Sequence, residues 1–312
     1  MSELVSVIMS VYNEEERWLR KSIESILNQT YDNIQFIIVL DNPENQKVLQ
    51  ILEEYAEKDS RIDLLKNEEN IGLVNSLNKA LTAVKGKYAA RMDADDISYP
   101  DRLEKELKFL KEKNADFVMA SISYIDEEGK PQPTGSVNEL CGESFAKVMK
   151  YGNVSTHPTW FLKKEVYDRL EGYRQVRHCE DYEFVLRALQ EDFVCGRMSE
   201  VLLDYRIRSN GVSKSYTMEQ RKKASEIRKL YRKGQLLKDM NVENLNERHA
   251  GYTEKEKKAY QLAEEQLELF CSNFAKRKLG RCLWIALKGI CTKRYFASIF
   301  MEYVKSFLAQ RV

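Results

Sequence analysis

Three aspartates stand within four residues at 93–96 (DADD), directly after the apolar run Lys87–Met92. Carboxylates this close repel one another unless a positive charge lies among them. Mg²⁺ prefers oxygen ligands and in proteins usually takes one or two carboxylates together with substrate phosphates. The spacing therefore suits either a metal-bound diphosphate or an acidic turn that caps the helix opened by Pro100.

Polar residues also follow three apolar runs that come earlier in the chain. They are Ser10, Tyr12 and Asn13 after the first run, Asp41 after the second and Asn70 after the third. A carboxylate at the end of a buried strand can accept a hydrogen bond from a nucleobase N–H or a ribose hydroxyl. Structural alternatives remain open, because Asn13 and Asp41 suit the start of a helix and Asn70-x-Gly suits a turn.

The elements that must position these residues alternate between two hydrophobic periods. Short apolar runs predict strands at 4–9, 35–40, 61–66, 87–92 and 116–123. Between them, apolar residues recur every three or four positions and predict helices. This alternation is typical of an α/β fold with a parallel, doubly wound sheet, whose ligands lie at the carboxyl ends of the strands. We therefore expect the four polar loops to meet at one edge of the sheet.

Two further groups of residues lie downstream. Glu180 and Asp181 begin a helix, where the helix dipole favours acidic side chains and where a carboxylate could also act as a general base. Basic and hydroxyl residues at 205–215 suit either a phosphate-contacting loop or a solvated linker. His157 could touch an acceptor or a phosphate and Trp160 could stack on a sugar, although a single His more often has a structural role.

Five stretches carry a resemblance when they are taken in order: VSVIMSVYNEE, SIESILNQTYDNIQFIIVLDN, NIGLVNSLNKAL, YAARMDADDISYPDRL and CEDYEFVLRAL. Over residues 4–215 the chain resembles family 2 glycosyltransferases. The resemblance implies a GT-A fold, with a Rossmann-like, mostly parallel sheet flanked by helices. It also implies a nucleotide-sugar donor, with UDP-sugars favoured, and an inverting transfer.

The resemblance assigns roles by position. The nucleotide would contact Ser10, Tyr12, Asn13, Asp41, Asn70, Arg91, Asp93 and Ala94. Mn²⁺ or Mg²⁺ would bind Asp95 and Asp93, and the metal would offset the charge of the departing diphosphate. Asp181 would act as the general base, with Glu180 beside it.

The chain departs from the family pattern in two places. LDNP at 40–43 stands where the family usually has Asp-Asp-Gly-Ser, so that one acidic residue is lost. The Gln-x-x-Arg-Trp motif of processive polymerases is absent near 206–215, which favours single additions over polymer extrusion. Two other functions stay open. One is a metal-dependent phosphohydrolase with Asp93 as nucleophile, although Ile97 replaces the usual Thr or Val; the other is a catalytically inactive membrane adaptor.

Charge is distributed unevenly along the chain. Overall, 50 basic and 49 acidic residues give a net charge of +1, which is unlike a protein that coats nucleic acid. Residues 271–312, however, hold nine Lys or Arg and one Glu, so that they carry +8 and the preceding residues carry −7. Apolar and aromatic residues are interleaved with these basic ones. This pattern suits an anionic membrane surface, packing against the rest of the chain, or a homodimer.

We therefore expect two regions, a nucleotide-sugar glycosyltransferase domain at 1–215 and a helical region at 216–312. No apolar run reaches the roughly 18 residues that a membrane-spanning helix needs, and no secretory leader is found. Both observations favour a cytoplasmic protein that is peripheral at the inner face of the cell membrane. The expected acceptor is a hydroxyl of a glycan or lipid-linked oligosaccharide in cell-surface polysaccharide or capsule synthesis.

Overall fold

The computed structural model describes most of the chain, namely residues 2–208, 217–292 and 295–309. The chain forms two compact units, Met1–Ala146 with Ser155–Gly211, and Lys147–Val154 with Val212–Val312. The hydrophobic pattern predicts a boundary near residue 215. It does not indicate that residues 147–154 belong with the helical unit, because so short a segment shows no full helical or strand period.

A mixed β-sheet forms the centre of the first unit. Its strands are β1 (Val5–Val11), β2 (Ile34–Leu40), β3 (Ile62–Lys66), β4 (Tyr88–Asp93), β5 (Ile97–Ser98), β6 (Phe117–Ile125), β7 (Pro131–Gln132), β8 (Leu140–Cys141), β9 (Trp160–Lys163) and β10 (Cys195–Arg206). Eight of them run in the order β3-β2-β1-β4-β9-β6-β10-β5, with β7 beside β6 and β8 beside β10. The strand β1 therefore lies between β2 and β4, among the strands that the alternation of strand and helix predicts.

The long strands of this sheet are mostly parallel. β1 runs parallel to β2 and β4, β2 to β3, and β6 to β10. β9 is inserted antiparallel between β4 and β6, and β5, β7 and β8 also pair antiparallel. The expected α/β fold is confirmed. The sequence does not indicate the antiparallel strands, because runs of two to four residues are too short to show a period.

Helices cover the sheet and connect its strands. They are α1 (Glu16–Leu27), α2 (Gln46–Lys58), α3 (Leu73–Thr82), α4 (Arg102–Glu112), α5 (Glu143–Met149), α6 (Lys164–Arg169) and α7 (Glu180–Gln190). In α1, Leu19, Ile23 and Ile26 recur at helical spacing and are fully buried in the core that β1 and β2 also form. Burial of each such side chain stabilises the fold by roughly 1.5–3 kcal/mol.

The second unit is helical, as expected. Its helices are α8 (Thr217–Arg232), α9 (Leu236–Asp239), α10 (Val242–Arg248), α11 (Glu254–Ala275), α12 (Leu279–Thr292) and α13 (Phe296–Ala309). A capping box begins α11, in which Thr253 and Glu256 each accept from the other's backbone N–H. Tyr260, Phe296 and Ile299 lie in the core of this unit. No helix in the described part of the chain combines the length and the apolar character needed to cross a membrane.

Candidate active site

The register of the first four strands brings their carboxyl ends together. Ser10 on β1 pairs with Asp93 on β4, and Leu40 on β2 pairs with Lys66 on β3. The backbone N–H of Asp41 then donates to the carbonyl of Val11 at 2.8 Å, which continues the β1–β2 pairing by one residue. The four loops that carry the polar residues therefore leave the sheet at one edge, where open α/β sheets bind ligands.

Asn13 links the first loop to the second. Its Oδ1 accepts hydrogen bonds from the Nδ2 groups of Asn42 and Asn45, each at 2.8 Å. Asn45 is the N-cap of α2, where its Oδ1 accepts from the backbone N–H of Val48. The N-cap of α1 is Glu15, without a side-chain cap. The alternative prediction that Asn13 caps a helix is therefore wrong. The alternative prediction that Asp41 caps the next helix is also wrong, because Asn45 is the N-cap of α2.

Asp41 holds the loop that follows β3. Its buried carboxylate accepts from the Nδ2 of Asn67 at 2.8 Å and from the backbone N–H groups of Ile71 and Gly72 at 2.9 and 3.0 Å. Gly72 has a positive φ of 82°, which favours glycine at this turn. Asn70 is exposed, and its Oδ1 also accepts from Gly72 N–H. Asp41 thus positions Asn70 at the edge of the sheet.

Arginines lie among the crowded aspartates, as the repulsion between these carboxylates requires. The Nη2 of Arg91 donates to Oδ1 of Asp93 at 2.5 Å, and Arg91 is almost completely buried. The Nε of Arg208 lies 2.9 Å from Oδ2 of Asp95. Each of the two carboxylates therefore has a guanidinium partner, one from the same strand and one from beyond β10.

Asp96 has a structural role. Its Oδ1 accepts from the backbone N–H of Arg206 at 2.8 Å, and the Arg206 Nε donates to the carbonyl of Asp95 at 2.8 Å. The guanidinium also lies over the Trp18 ring, 5.3 Å from its centroid. These contacts fix the turn after β4 to the end of β10. Tyr205 and Arg206 are thus the last residues of β10 and not part of a loop; residues 209–215 lie outside the described residues.

The surroundings of Asp95 and Glu14 disfavour the negative charge of these two carboxylates. Burial, followed by the nearby Asp93 carboxylate, raises the pKa of Asp95 to about 6. Burial also raises the pKa of Glu14, and the Asp93 charge adds to this rise. The Glu14 carboxylate accepts a hydrogen bond from the backbone N–H of Tyr12 at 2.8 Å. A divalent cation would relieve this crowding of oxygen ligands. Asp93 and Asp95 therefore fit a metal that completes its coordination with water and phosphate, while the described residues form no ready-made cluster of three ligands.

Glu180 and Asp181 are the first two residues of α7. The charge of Arg91, which contacts Asp93, also affects Glu180. Burial, followed by the neighbouring Asp181 carboxylate, raises the pKa of Glu180 to about 7, and the Arg91 charge opposes this rise. The buried Arg91 guanidinium therefore acts electrostatically on Glu180 and contacts Asp93 directly.

A family comparison decides between the enzyme classes that this geometry could serve. The model of glycosyl transferase family 2 matches residues 6–170, just over half of the chain. The chain belongs to glycosyl transferase family 2. It is therefore a transferase, and the geometry offers no support for the alternative phosphohydrolase.

Relatives and a solved structure agree with this assignment. An uncharacterized glycosyltransferase of Methanocaldococcus jannaschii is 40% identical over 210 residues, which cover 65% of this chain and 71% of that protein. The O-antigen biosynthesis glycosyltransferase WbnJ of Escherichia coli is 34% identical over 219 residues, covering 68% and 83%. S. aureus TarS 1–349 in complex with UDP-GlcNAc superposes with a TM-score of 0.60 at 19% identity, over 77% of this chain and 69% of that chain. At this identity the likeness shows the fold alone, which is the expected GT-A fold.

Trp160 does not lie where a sugar could reach it. The indole is fully buried and packs against Phe117 and Tyr173, with ring centroids 4.7 and 5.8 Å apart. The prediction that Trp160 stacks on a sugar of the acceptor is therefore wrong. The apolar run in which Trp160 lies is the buried strand β9, so its indole belongs to the core.

His157 belongs to the same aromatic cluster. Its Nε2 shares a hydrogen bond of 2.9 Å with the Tyr173 hydroxyl. Burial, followed by the Arg91 charge, lowers the pKa of His157 well below its ordinary value. The ring is therefore neutral at pH 7, and its hydrogen bond holds the Tyr173 hydroxyl within the aromatic cluster.

The remaining nucleotide candidates divide by exposure. Tyr12, directly after β1, presents 44% of its surface to solvent, whereas Arg91 and Ala94 are buried. The Ala94 methyl is therefore not offered to a ligand, and Arg91 acts on the site through Asp93. Glu14 is a further candidate that the hydrophobic pattern does not single out, although it stands two residues after Tyr12 in the first polar loop.

Proposed function

We propose that this glycosyltransferase moves a sugar, with inversion, from a UDP-sugar to a hydroxyl of a glycan or lipid-linked oligosaccharide in cell-surface polysaccharide synthesis. The observation that carries the proposal is the strand register that brings the four polar loops after β1, β2, β3 and β4 to one edge of the sheet, where Arg91 pairs with Asp93. The Arg91 charge also acts on Glu180 at the start of α7. The relative WbnJ, an O-antigen biosynthesis enzyme, supports the cell-surface role. TarS in complex with UDP-GlcNAc supports a UDP-sugar donor.

The proposed donor site uses the loops after β1, β2 and β3. The exposed Tyr12 ring is available to the nucleobase, and Ser10 lies beside Asp93 in the β1–β4 register. Asn13 joins the first two loops, and Asp41 shapes the third. These side chains would contact the base and ribose together with the exposed Asn70. The buried carboxylate of Asp41 supports this assignment because it fixes the loop before the ligand arrives.

Asp95, with Asp93, would hold Mn²⁺ or Mg²⁺ against the donor diphosphate. The bound ion would supply Lewis-acid stabilisation of the diphosphate as it leaves. Arg208 lies on Asp95 in the structure, at 2.9 Å, and bears a positive charge at the same place. The diphosphate would therefore bind at the edge of the sheet, close to the positive charges of the metal and of Arg208.

Asp181 would act as the general base. Glu180 keeps its proton up to about pH 7, because burial and the Asp181 charge raise its pKa. Asp181, in the first turn of α7, would accept the proton of the acceptor hydroxyl. The hydroxyl oxygen forms a bond to the anomeric carbon while the bond from that carbon to the diphosphate oxygen breaks. Attack from the face opposite the diphosphate inverts the anomeric centre.

Nuclear magnetic resonance can follow the configuration of the released sugar. UDP-α-linked sugars are screened with Mn²⁺, and water serves as the acceptor where no glycan is known. We expect the β-anomer to appear first, because Asp181 directs attack to the face opposite the diphosphate. Asp181→Asn should lower turnover by about 10²–10⁴-fold. The matched control is Asp192→Asn, an exposed site just beyond the same helix.

Two results would count against the proposal. Initial release of the α-anomer would contradict inversion. If no donor is turned over, and if Asp181→Asn changes neither the consumption of donor nor the formation of product, the catalytically inactive membrane adaptor would be favoured.

We also propose that residues 271–312 associate with an anionic membrane at its inner face, where a lipid-linked acceptor would be presented. Their net charge of +8 supports this association. Association through these residues would keep the protein peripheral.

A further inference from the structure

One face of α12 is apolar and exposed. Its five large side chains are each 50–65% exposed: Leu279, Leu283, Trp284, Leu287 and Ile290. Four of them recur at intervals of three or four residues and form one stripe along the helix, and Trp284 flanks it. We name these five residues the α12 outer face. Soluble proteins rarely expose contiguous apolar side chains of this size without an interaction.

The opposite side of α12 is anchored within its own unit. Cys282, Ile285 and Ala286 are buried there. The Nε2 of Gln266 on α11 donates to the carbonyl of Ile285 at 3.0 Å. The outer face is thus presented by a helix whose rear side is packed, so that its exposure is a property of the folded unit.

Basic residues border the outer face without any acidic residue in the same segment. Residues 276–292 contain five cationic residues and no Asp or Glu: Lys276, Arg277, Lys278, Arg281 and Lys288. All five are exposed. The Lys288 Nζ lies 4.8 Å from the centroid of the Trp284 ring, so that a cation stands at the margin of the apolar surface. Apolar side chains bordered by cations match the interface of an anionic bilayer.

We propose that the α12 outer face inserts into the interface of an anionic lipid membrane, with its basic border on the lipid phosphates. The inference rests on the membrane association proposed for residues 271–312 and narrows it to one face of one helix. A second copy of the chain fits this face less well. Self-association through the same surface would bring two borders of +5 together, which costs free energy.

Tryptophan fluorescence can report on this face. The chain has three tryptophans, of which Trp18 and Trp160 are buried and Trp284 is 58% exposed. Vesicles of phosphatidylcholine mixed with phosphatidylglycerol should shift the emission to shorter wavelength, whereas pure phosphatidylcholine should shift it little. Trp284→Phe should abolish the shift while the protein still sediments with the anionic vesicles.

Charge reversal tests the basic border. Arg281→Glu/Lys288→Glu should lower partitioning into anionic vesicles by more than about tenfold, since each basic residue near such a surface contributes about fivefold. The matched control is Lys255→Glu/Lys258→Glu, the same change at exposed sites on α11, which should stay within about twofold. Leu283→Ser/Leu287→Ser tests the apolar part and should also lower partitioning, and circular dichroism checks that each variant keeps its helices.

Three outcomes would overturn the inference. They are no emission shift with anionic vesicles, equal partitioning of Arg281→Glu/Lys288→Glu and the unaltered protein, or a dimer without vesicle binding that Leu283→Ser/Leu287→Ser dissociates. Turnover of UDP-sugars without vesicles is measured on the same preparations. Loss of turnover with vesicle binding retained would contradict only the proposed reaction, and the reverse result would contradict only the membrane contact.

Discussion

At the residue scale, several acidic side chains of the first unit are buried where their negative charge is costly. Burial raises the pKa of Glu106 to about 7, and burial is also the first cause at Asp95 and Glu180. Glu106 has a buried partner in Arg102, at 3.1 Å. Asp95 has a partner in Arg208, at 2.9 Å. Asp95 and Glu180 also lie where the proposed metal and proton transfer would use them.

Glu180 should make the free energy of unfolding depend on pH. Its pKa is about 7 in the folded protein and near its ordinary value of 4.5 when unfolded. The protonated carboxyl therefore stabilises the fold fully below about pH 4.5, and this contribution is lost as the pH rises through about 7. Glu180→Gln should remove a difference on the order of 1–3 kcal/mol between pH 4 and pH 8.

Urea unfolding of the unaltered protein and Glu180→Gln at both pH values measures this difference directly. Other buried carboxyls titrate in both proteins, so that only the difference between the two pH profiles reports on Glu180. Parallel profiles would show that Glu180 ionises normally in the folded state.

The residue types of the site could be predicted from the sequence, but their partners could not. Asp95 pairs with Arg208, and Asn13 with Asn45, across long separations in the chain. Such pairings depend on the register of β10 and on the path of loops between strands, which no local period encodes. Trp160 shows the converse limit, because a tryptophan in a short apolar run suits a sugar platform and a buried strand equally well.

At the element scale, the loop after β3 depends on one carboxylate from the end of β2. Asp41 accepts three hydrogen bonds there, from Asn67, Ile71 and Gly72. Two of the donors are backbone N–H groups of the loop itself, and that of Gly72 is shared with the Oδ1 of Asn70. The conformation that would hold a nucleotide is therefore set by a side chain of the neighbouring strand.

Asp41→Asn should loosen this loop. The amide offers one acceptor oxygen and places an NH₂ group against a backbone N–H of Ile71 or Gly72. We expect a loss of about 1–3 kcal/mol in the free energy of unfolding, together with weaker UDP binding. Urea unfolding and calorimetric titration measure the two effects. Glu69→Gln, an exposed change in the same loop, is the control, and equal behaviour of the two variants would contradict the role of Asp41.

The strands β1 and β2 could be predicted because β-branched and other apolar residues fill them almost without interruption. The strands β3 and β4 have a weaker signal, since Asp and Lys or Arg and Asp stand among their apolar residues. Amphipathic helices such as α1 and α3 could be predicted because their apolar residues recur every three or four positions. β9 and the two-residue strands have no such signal, since their place depends on hydrogen bonds to strands that are distant in sequence. The sheet is consequently more mixed than the alternation of strand and helix indicates.

At the scale of the whole molecule, opposite charges are separated along the chain. Residues 271–312 carry +8 and the preceding residues carry −7, so that the net charge of +1 conceals two regions. The first unit gathers carboxylates and arginines at the edge of the sheet, and α12 in the second unit exposes apolar and basic side chains. We therefore propose that the first unit binds the donor and that the second unit contacts the membrane that carries the acceptor.

Calorimetric titration of UDP, with and without Mn²⁺, measures directly whether this edge of the sheet is the donor site. We predict that UDP binds in a Mn²⁺-dependent manner, because Asp95 and Asp93 hold the ion against the diphosphate. Asp95→Asn should remove the dependence on metal, while Asp192→Asn should preserve it. If neither UDP nor any other nucleoside diphosphate binds in the presence of Mn²⁺ or Mg²⁺, the assignment of this edge of the sheet as the donor site is contradicted.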